Sequence, residues 1–130
     1  MTQKTIAQKK KYEKLDDLRC YRLAQALGKH VWDAASKWDY FARDTVGKQL
    51  VRCADSVAAN IAEGHGRYHR GERNQFLLYA RGSATETWAF IDKCEQRALL
   101  TPEVIKNLRS LVTQVIYAIN QRRKYVANLG

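Results

Sequence analysis

A single proline, Pro102, interrupts a chain of 130 residues that holds only seven glycines. These two residues break regular backbone, so a chain this short of them favours a few long helices over many short strands. The apolar positions say the same. From Cys20 they recur as Ala24, Leu27, Val31, Ala34 and Trp38, and from Val46 as Leu50, Cys53, Val57 and Ile61, in steps of four and three. Such steps keep one helical face inward. A third stripe (Phe76, Ala80, Ser83, Thr87, Phe90 or Ile91, Cys94, Ala98) and a fourth (Val104, Leu108, Leu111, Val115, Ala118) make four amphipathic helices.

Boundary signals set the order. Helix one is expected to open near Asp16, whose carboxylate suits a helix N-terminus. A turn around Asp39 to Asp44 leads to helix two, with Gly64 as its C-terminal glycine. Helix four opens on Thr101-Pro102-Glu103: a hydroxyl cap, a proline in the first turn, then an acid. Four helices with short links predict an all-α, antiparallel up-down-up-down four-helix bundle over residues 15 to 127, preceded by a flexible basic arm over residues 1 to 14. The length suits one domain with one core. Helix four also carries Ile105, Val112, Ile116, Ile119 and Val126, and Phe76-Leu77-Leu78-Tyr79 spreads apolar groups around helix three. That surplus predicts a homo-oligomer.

Lysine and arginine outnumber acids by 23 to 13, a net charge of +10, which puts polyanions first among partners. No apolar run is long enough for a membrane span, and the N-terminus lacks a signal peptide's apolar stretch, so a cytoplasmic protein is expected. Cys20, Cys53 and Cys94 lie far apart on apolar stripes and read as small buried hydrophobes. His65 and His69 find no partners at metal-ligand spacing, and no acid pair, nucleophile with base, or phosphate-cradling glycine loop appears. No enzyme activity, metal or cofactor is expected. Asn60, Ser83 and Glu86 read as a structural polar seam that fixes helices two and three.

In the expected topology, residues 1 to 14, the link between helices two and three, and the end of helix four share one pole. The first segment has five lysines and one acid; the link has Arg67, Arg70 and Arg73 against Glu63 and Glu72; the last has Arg122, Arg123 and Lys124. The opposite pole, with Lys37, Asp39, Arg43, Asp44, Arg97 and Glu103, is near balance. The candidate nucleic-acid-binding residues are therefore Lys9, Lys10, Lys11, Arg67, Tyr68, Arg70, Arg73, Arg122, Arg123 and Lys124, meeting RNA or DNA mainly through its backbone. The competing reading is a structural or protein-interaction oligomer whose basic pole meets an acidic protein.

One family resemblance runs through the same residues. Gln49, Leu50, Arg52, Ala54, Ser56 and Asn60-Ile61-Ala62-Glu63-Gly64, followed by Arg67, Glu72, Phe76-Leu77, Ala80, Gly82-Ser83 and Glu86, resemble the bacterial four-helix-bundle family encoded by intervening sequences of large-subunit ribosomal RNA genes. Leu15-Asp16-Asp17-Leu18 looks like that family's opening of helix one. The chain departs from the pattern at Ala58, where proline is usual, at Asp55, where an aliphatic is usual, and around Phe41-Ala42, which lacks a Phe-Pro signal. The resemblance implies a homopentameric bundle without enzyme activity. It extends in fold to accessory proteins of diversity-generating retroelements, basic pentamers that bind nucleic acid and a reverse transcriptase.

Overall fold

The computed structural model describes residues 13 to 129, and those residues are helical, with no strand among them. Helix α1 spans Arg19–Ala35, α2 Lys48–His65, α3 Arg70–Gln96 and α4 Pro102–Ala127. A 3-10 turn, Leu15–Asp17, precedes α1, so the helix starts three residues after Asp16. The expected turn before α2 is itself largely helical. Asp39 Oδ1 accepts from the Ala42 N–H at 3.0 Å, capping Tyr40–Ala42, and a π-helical turn, Arg43–Gly47, runs on into α2. The α4 start is as expected: Thr101 Oγ1 accepts from the Val104 N–H at 3.2 Å and Pro102 opens the helix.

Each helix packs chiefly on two neighbours, α1 and α3 both lying against α2 and α4. Contacts across the seams give the directions. Between α2 and α3, Cys53 meets Thr87, Ser56 meets Ser83 and Gly64 meets Phe76. Between α3 and α4, Asn74 meets Arg123, Arg81 meets Asn120 and Asp92 meets Arg109. Numbers rise on one helix as they fall on the next, which makes the bundle antiparallel.

The α2 stripe is buried throughout, from Val46 to Ile61. Two other stripes keep most of their expected members and shift at the rest. On α3 the buried residues are Leu77, Ala80, Ala84, Thr87, Ile91 and Cys94, with Phe76 and Ser83 moved to the flank. Ala98 does not belong to that stripe. It is exposed and left-handed, with φ 55°, while Leu99 N–H donates to Cys94 O at 2.9 Å and Ala98 N–H to Glu95 O at 3.1 Å. These two bonds satisfy the last carbonyls of α3 in the arrangement that usually employs glycine.

On α4 the core takes Ile105, Leu108, Val112, Val115, Ala118, Ile119 and Val126, so Leu108, Val115 and Ala118 are buried as expected while Val104 and Leu111 are only half-buried. Steps of three and four place Arg122 at the next inward position of the same repeat. Ile105, Val112, Ile119 and Val126, expected as surplus for an oligomer interface, therefore belong to the protomer's own core. The side chains left outside are mostly aromatic, including Trp32, Phe41, Tyr79, Trp88 and Tyr117.

Gly64 also differs from expectation. α2 continues to His65, and Gly64 lies buried within it. A Cβ there would sit 2.8 Å from the Phe76 Cβ and 3.2 Å from Arg73 O. The glycine lets α2 and α3 approach closely; it does not end the helix. No helix among the described residues is long and apolar enough to cross a membrane.

Candidate nucleic-acid interface

Bundle topology gathers the root of α1, the α2–α3 link and the end of α4 at one pole, and three contacts tie them there. His65 Nε2 lies 2.8 Å from Glu13 O. Arg122 donates to both Glu13 carboxylate oxygens, at 2.8 and 3.0 Å. Arg70 donates to Ala127 O at 3.2 Å and also to Leu129 O. Glu13 and Lys14 are thus part of the bundle end. Lys9, Lys10 and Lys11 lie outside the described residues.

The cations of this pole are not electrically equivalent. Arg67 donates to Glu63 at 2.7 Å and Glu72 at 3.4 Å and sits 4.9 Å from the Phe76 ring centre. Two carboxylates around one guanidinium cancel its far field. Arg122 is 12% exposed, paired with Glu13 and stacked over Tyr125 at 4.4 Å. Its hydrogen bonds hold the Glu13 carboxyl below the ordinary value of 4.5. Arg73 is half-buried. Arg67 and Arg122 are therefore built into the fold. Tyr68, 90% exposed and edge-on to His69 at 5.1 Å, stands clear of the protein.

Around the corner, α3 and α4 frame a groove of about 500 Å³ lined by Asn74, Arg81, Asn120, Arg123, Lys124 and Ala127. Arg123 Nε donates to Asn74 Oδ1 at 2.9 Å, and Arg81 Nη1 donates to Asn120 Oδ1 at 3.0 Å. An amide orients a guanidinium as a carboxylate does, but removes none of its charge. No acid lines the groove, and among the described residues Arg81, Arg123 and Lys124 make no ion pair. Arg70, bonded to Ala127 O, extends the same face. From Arg70 to Arg81 is eleven residues of helix, about 16 Å at 1.5 Å per residue, enough to face several consecutive phosphates. The remaining guanidinium N–H groups suit paired phosphate oxygens.

Of the sequence-derived set, the structure brings Arg70, Arg123 and Lys124 onto this face and places Arg67 and Arg122 in acid pairs beside it. Arg81, Asn74 and Asn120 were missed. A usable signal existed: Arg123 falls three residues after Asn120 and Arg81 seven after Asn74, so each helix carries one amide and one arginine on neighbouring surface.

The polar seam is present with altered membership. Asn60 Nδ2 donates to Ser56 O at 2.9 Å and lies 3.1 Å from Ser56 Oγ, which meets Ser83 Oγ at 3.0 Å. Thr87, fully buried, donates to Ser83 O at 2.8 Å. Glu86 is exposed and outside the seam, because α3 is rotated to bury Ala84 and Thr87. All three cysteines are buried. Burial pushes the Cys94 thiol up to about 11 and raises Cys20 and Cys53 as well, so none is a ready nucleophile. Among the described residues no three His, Cys, Asp or Glu side chains gather as a metal site.

Comparison with known proteins agrees with this architecture. A crystallised protein of unknown function from the S23 ribosomal protein family of Bacteroides thetaiotaomicron superposes with a TM-score of 0.64, covering 85% of this chain and 99% of its own at 19% identity. At that identity the likeness is one of fold. No curated protein matches the chain. The family model described as 23S rRNA-intervening sequence protein matches residues 16–121. With its seam and most of its core and length inside that match, the chain belongs to the 23S rRNA-intervening sequence protein family.

Proposed function

We propose that this protein is a cytoplasmic, non-enzymatic module that binds RNA or DNA through the sugar-phosphate backbone and works as a homo-oligomer. The observation that carries the reading is the α3–α4 groove, whose arginines are held by amides and keep their full charge. Lysines and arginines that face phosphates without base-reading partners give affinity with little sequence preference. Five subunits, the number implied by the family resemblance, would repeat the groove and multiply its avidity. Exposed Trp88 and Tyr117, with half-buried Leu111 and Ile116, support a subunit interface. Service beside a reverse transcriptase is the narrower form of the same proposal.

The test is titration with RNA and DNA of several sequences over a range of salt. About five phosphate contacts per subunit give a log-log salt slope near −4.5. Replacing Arg81, Arg123 and Lys124 together by alanine is expected to make the slope shallower by about 2.7 for every sequence, and removing residues 1 to 11 to weaken binding further. Unaltered binding in both variants refutes the site; loss on one sequence alone refutes backbone-led recognition. Light scattering checks assembly against the protomer mass of 15.0 kDa, and a stable monomer at micromolar concentration refutes it.

A further inference from the structure

The far pole is not electrically bland. Between the end of α1 and the start of α2 lies an open trough of about 610 Å³, lined by Trp32, Ala35, Ser36, Arg43, Gly47, Lys48, Val51, Arg52 and Asp55. Trp32 is 60% exposed on one wall, Ala35, Gly47 and Val51 make an apolar floor, and Arg43, Lys48 and Arg52 are exposed along the other side. Among the described residues none of these three cations pairs with a carboxylate. Lys48 and Arg52, four apart on α2, point the same sign at each other. At the α1–α2 end of the trough Asp55 lies close against Gly28, where a Cβ would meet Asp55 Oδ1 at 3.0 Å. The trough ends over the π-helical turn Arg43–Gly47, a distortion that recurs at functional sites.

We propose that this trough docks an acidic amphipathic helix of a partner protein, its apolar side chains against Trp32 and Val51 and its carboxylates on Arg43, Lys48 and Arg52. The charge pattern selects this occupant over the alternatives. Residues 1 to 12 of the chain carry four lysines and no acid, so they are repelled from it. A second copy brings a net charge of +10, and six of its 13 acids, Glu13, Asp33, Glu63, Glu72, Asp92 and Glu95, are already in ion pairs. Nucleic acid offers phosphate to an apolar floor, whereas an amphipathic helix satisfies floor and rim together. The lining residues from the π-helical turn into α2, 43 to 55, run about 18 Å, the length of a helix of about 12 residues.

The inference is independent of the nucleic-acid reading, and its test separates the two. The probe is a fluorescein-labelled peptide with leucine at positions i, i+3, i+4 and i+7 and glutamate elsewhere, titrated by anisotropy against the full chain. Controls are the same peptide with lysine for glutamate, an all-glutamate peptide, and a single-stranded DNA competitor. The expected result is saturable binding of the Glu/Leu peptide about tenfold or more tighter than either control. Trp32→Ser and the pair Lys48→Glu, Arg52→Glu should each weaken it about tenfold without changing the thermal melt, while the Arg81, Arg123, Lys124 variant leaves it unchanged. No saturation up to ~1 mM, equal binding of the all-glutamate peptide, or indifference to Trp32→Ser overturns the proposal. Displacement by DNA that is itself lost in the Lys48, Arg52 variant makes the trough a nucleic-acid site and overturns it as well. A Trp32→Ser variant that dissociates an oligomer while the peptide fails to bind assigns the trough to a second copy.

Discussion

The two ends of the α3–α4 seam use the same residue to opposite effect. At one end Arg109 reaches from α4 to Asp92 at 2.6 Å and Glu95 at 3.0 Å on α3, over the Trp88 ring at 5.5 Å from its centre. At the other, Arg123 and Arg81 cross the same seam to Asn74 and Asn120. Both arrangements fix a guanidinium and tie two helices together. The first leaves no net positive charge, and the hydrogen bonds that Arg109 donates to Glu95 and Asp92 raise its pKa. The second leaves the full charge in a preset orientation. A basic surface is therefore better counted by how each cation is held than by how many there are.

The sharpest way to break this comparison is to turn one end into the other. Asn74→Asp with Asn120→Asp should cut nucleic-acid affinity on the order of 30-fold at low salt and make the salt slope shallower by about 1.8, with the melting temperature kept or raised. If affinity survives, the groove is not the site. Arg109→Ala serves as the opposite arm: binding per folded molecule should stay the same.

Glu13→Gln tests the acid-held class at the basic pole. It strips the half-buried Arg122 of its counter-charge and should cost about 1 to 3 kcal/mol of stability, read by denaturant unfolding, with little change in binding. Because Arg122 holds the Glu13 pKa below 4.5, the contribution is present above that value. It is lost as pH falls through the lowered folded value, so wild type and variant should converge in acid. A constant difference down to acid pH would assign the effect to packing.

Ser83→Val carries the comparison to the other side of α3, where hydroxyls and an amide satisfy one another and no charge is kept for a ligand. Leaving Ser56 short of a partner should cost about 1 kcal/mol without changing nucleic-acid affinity. Normal melting with lost binding would move this seam into the ligand site. Ala98→Gly, remote from both sides, should stabilise by about 0.5 to 1 kcal/mol because glycine adopts the left-handed conformation without strain. It serves as a control that shifts stability alone.

Legibility in the sequence tracked the range of the interactions involved. The α4 opening was readable because Thr101, Pro102 and Glu103 act on the turn they begin. The α2 stripe was readable because polar residues bound it on both sides. On α3, Phe76-Leu77-Leu78-Tyr79 offers two apolar phases, and on α4 Val104-Ile105 and Leu111-Val112 do the same. The structure buries Leu77 and Ala84 in place of Phe76 and Ser83, and Ile105 and Val112 in place of Val104 and Leu111, while the rest of each stripe except Ala98 is buried as expected. Gly64 looked like a cap because a glycine near a helix end usually is one; its role depends on Phe76, twelve residues on and on another helix.

Local physics in the chain alone determined the helical class, the count of four helices, their short links and the buried thiols. Those follow from breaker scarcity, periodicity and caps, each acting within a few turns. Only the tertiary structure decided which arginines are neutralised, which residues share a groove and where the apolar floor lies. Arg122 meets a carboxylate 109 positions away and Arg123 an amide 49 away. Whether a cation is spent on the fold or kept for a ligand depends on partners that only packing brings within hydrogen-bond reach.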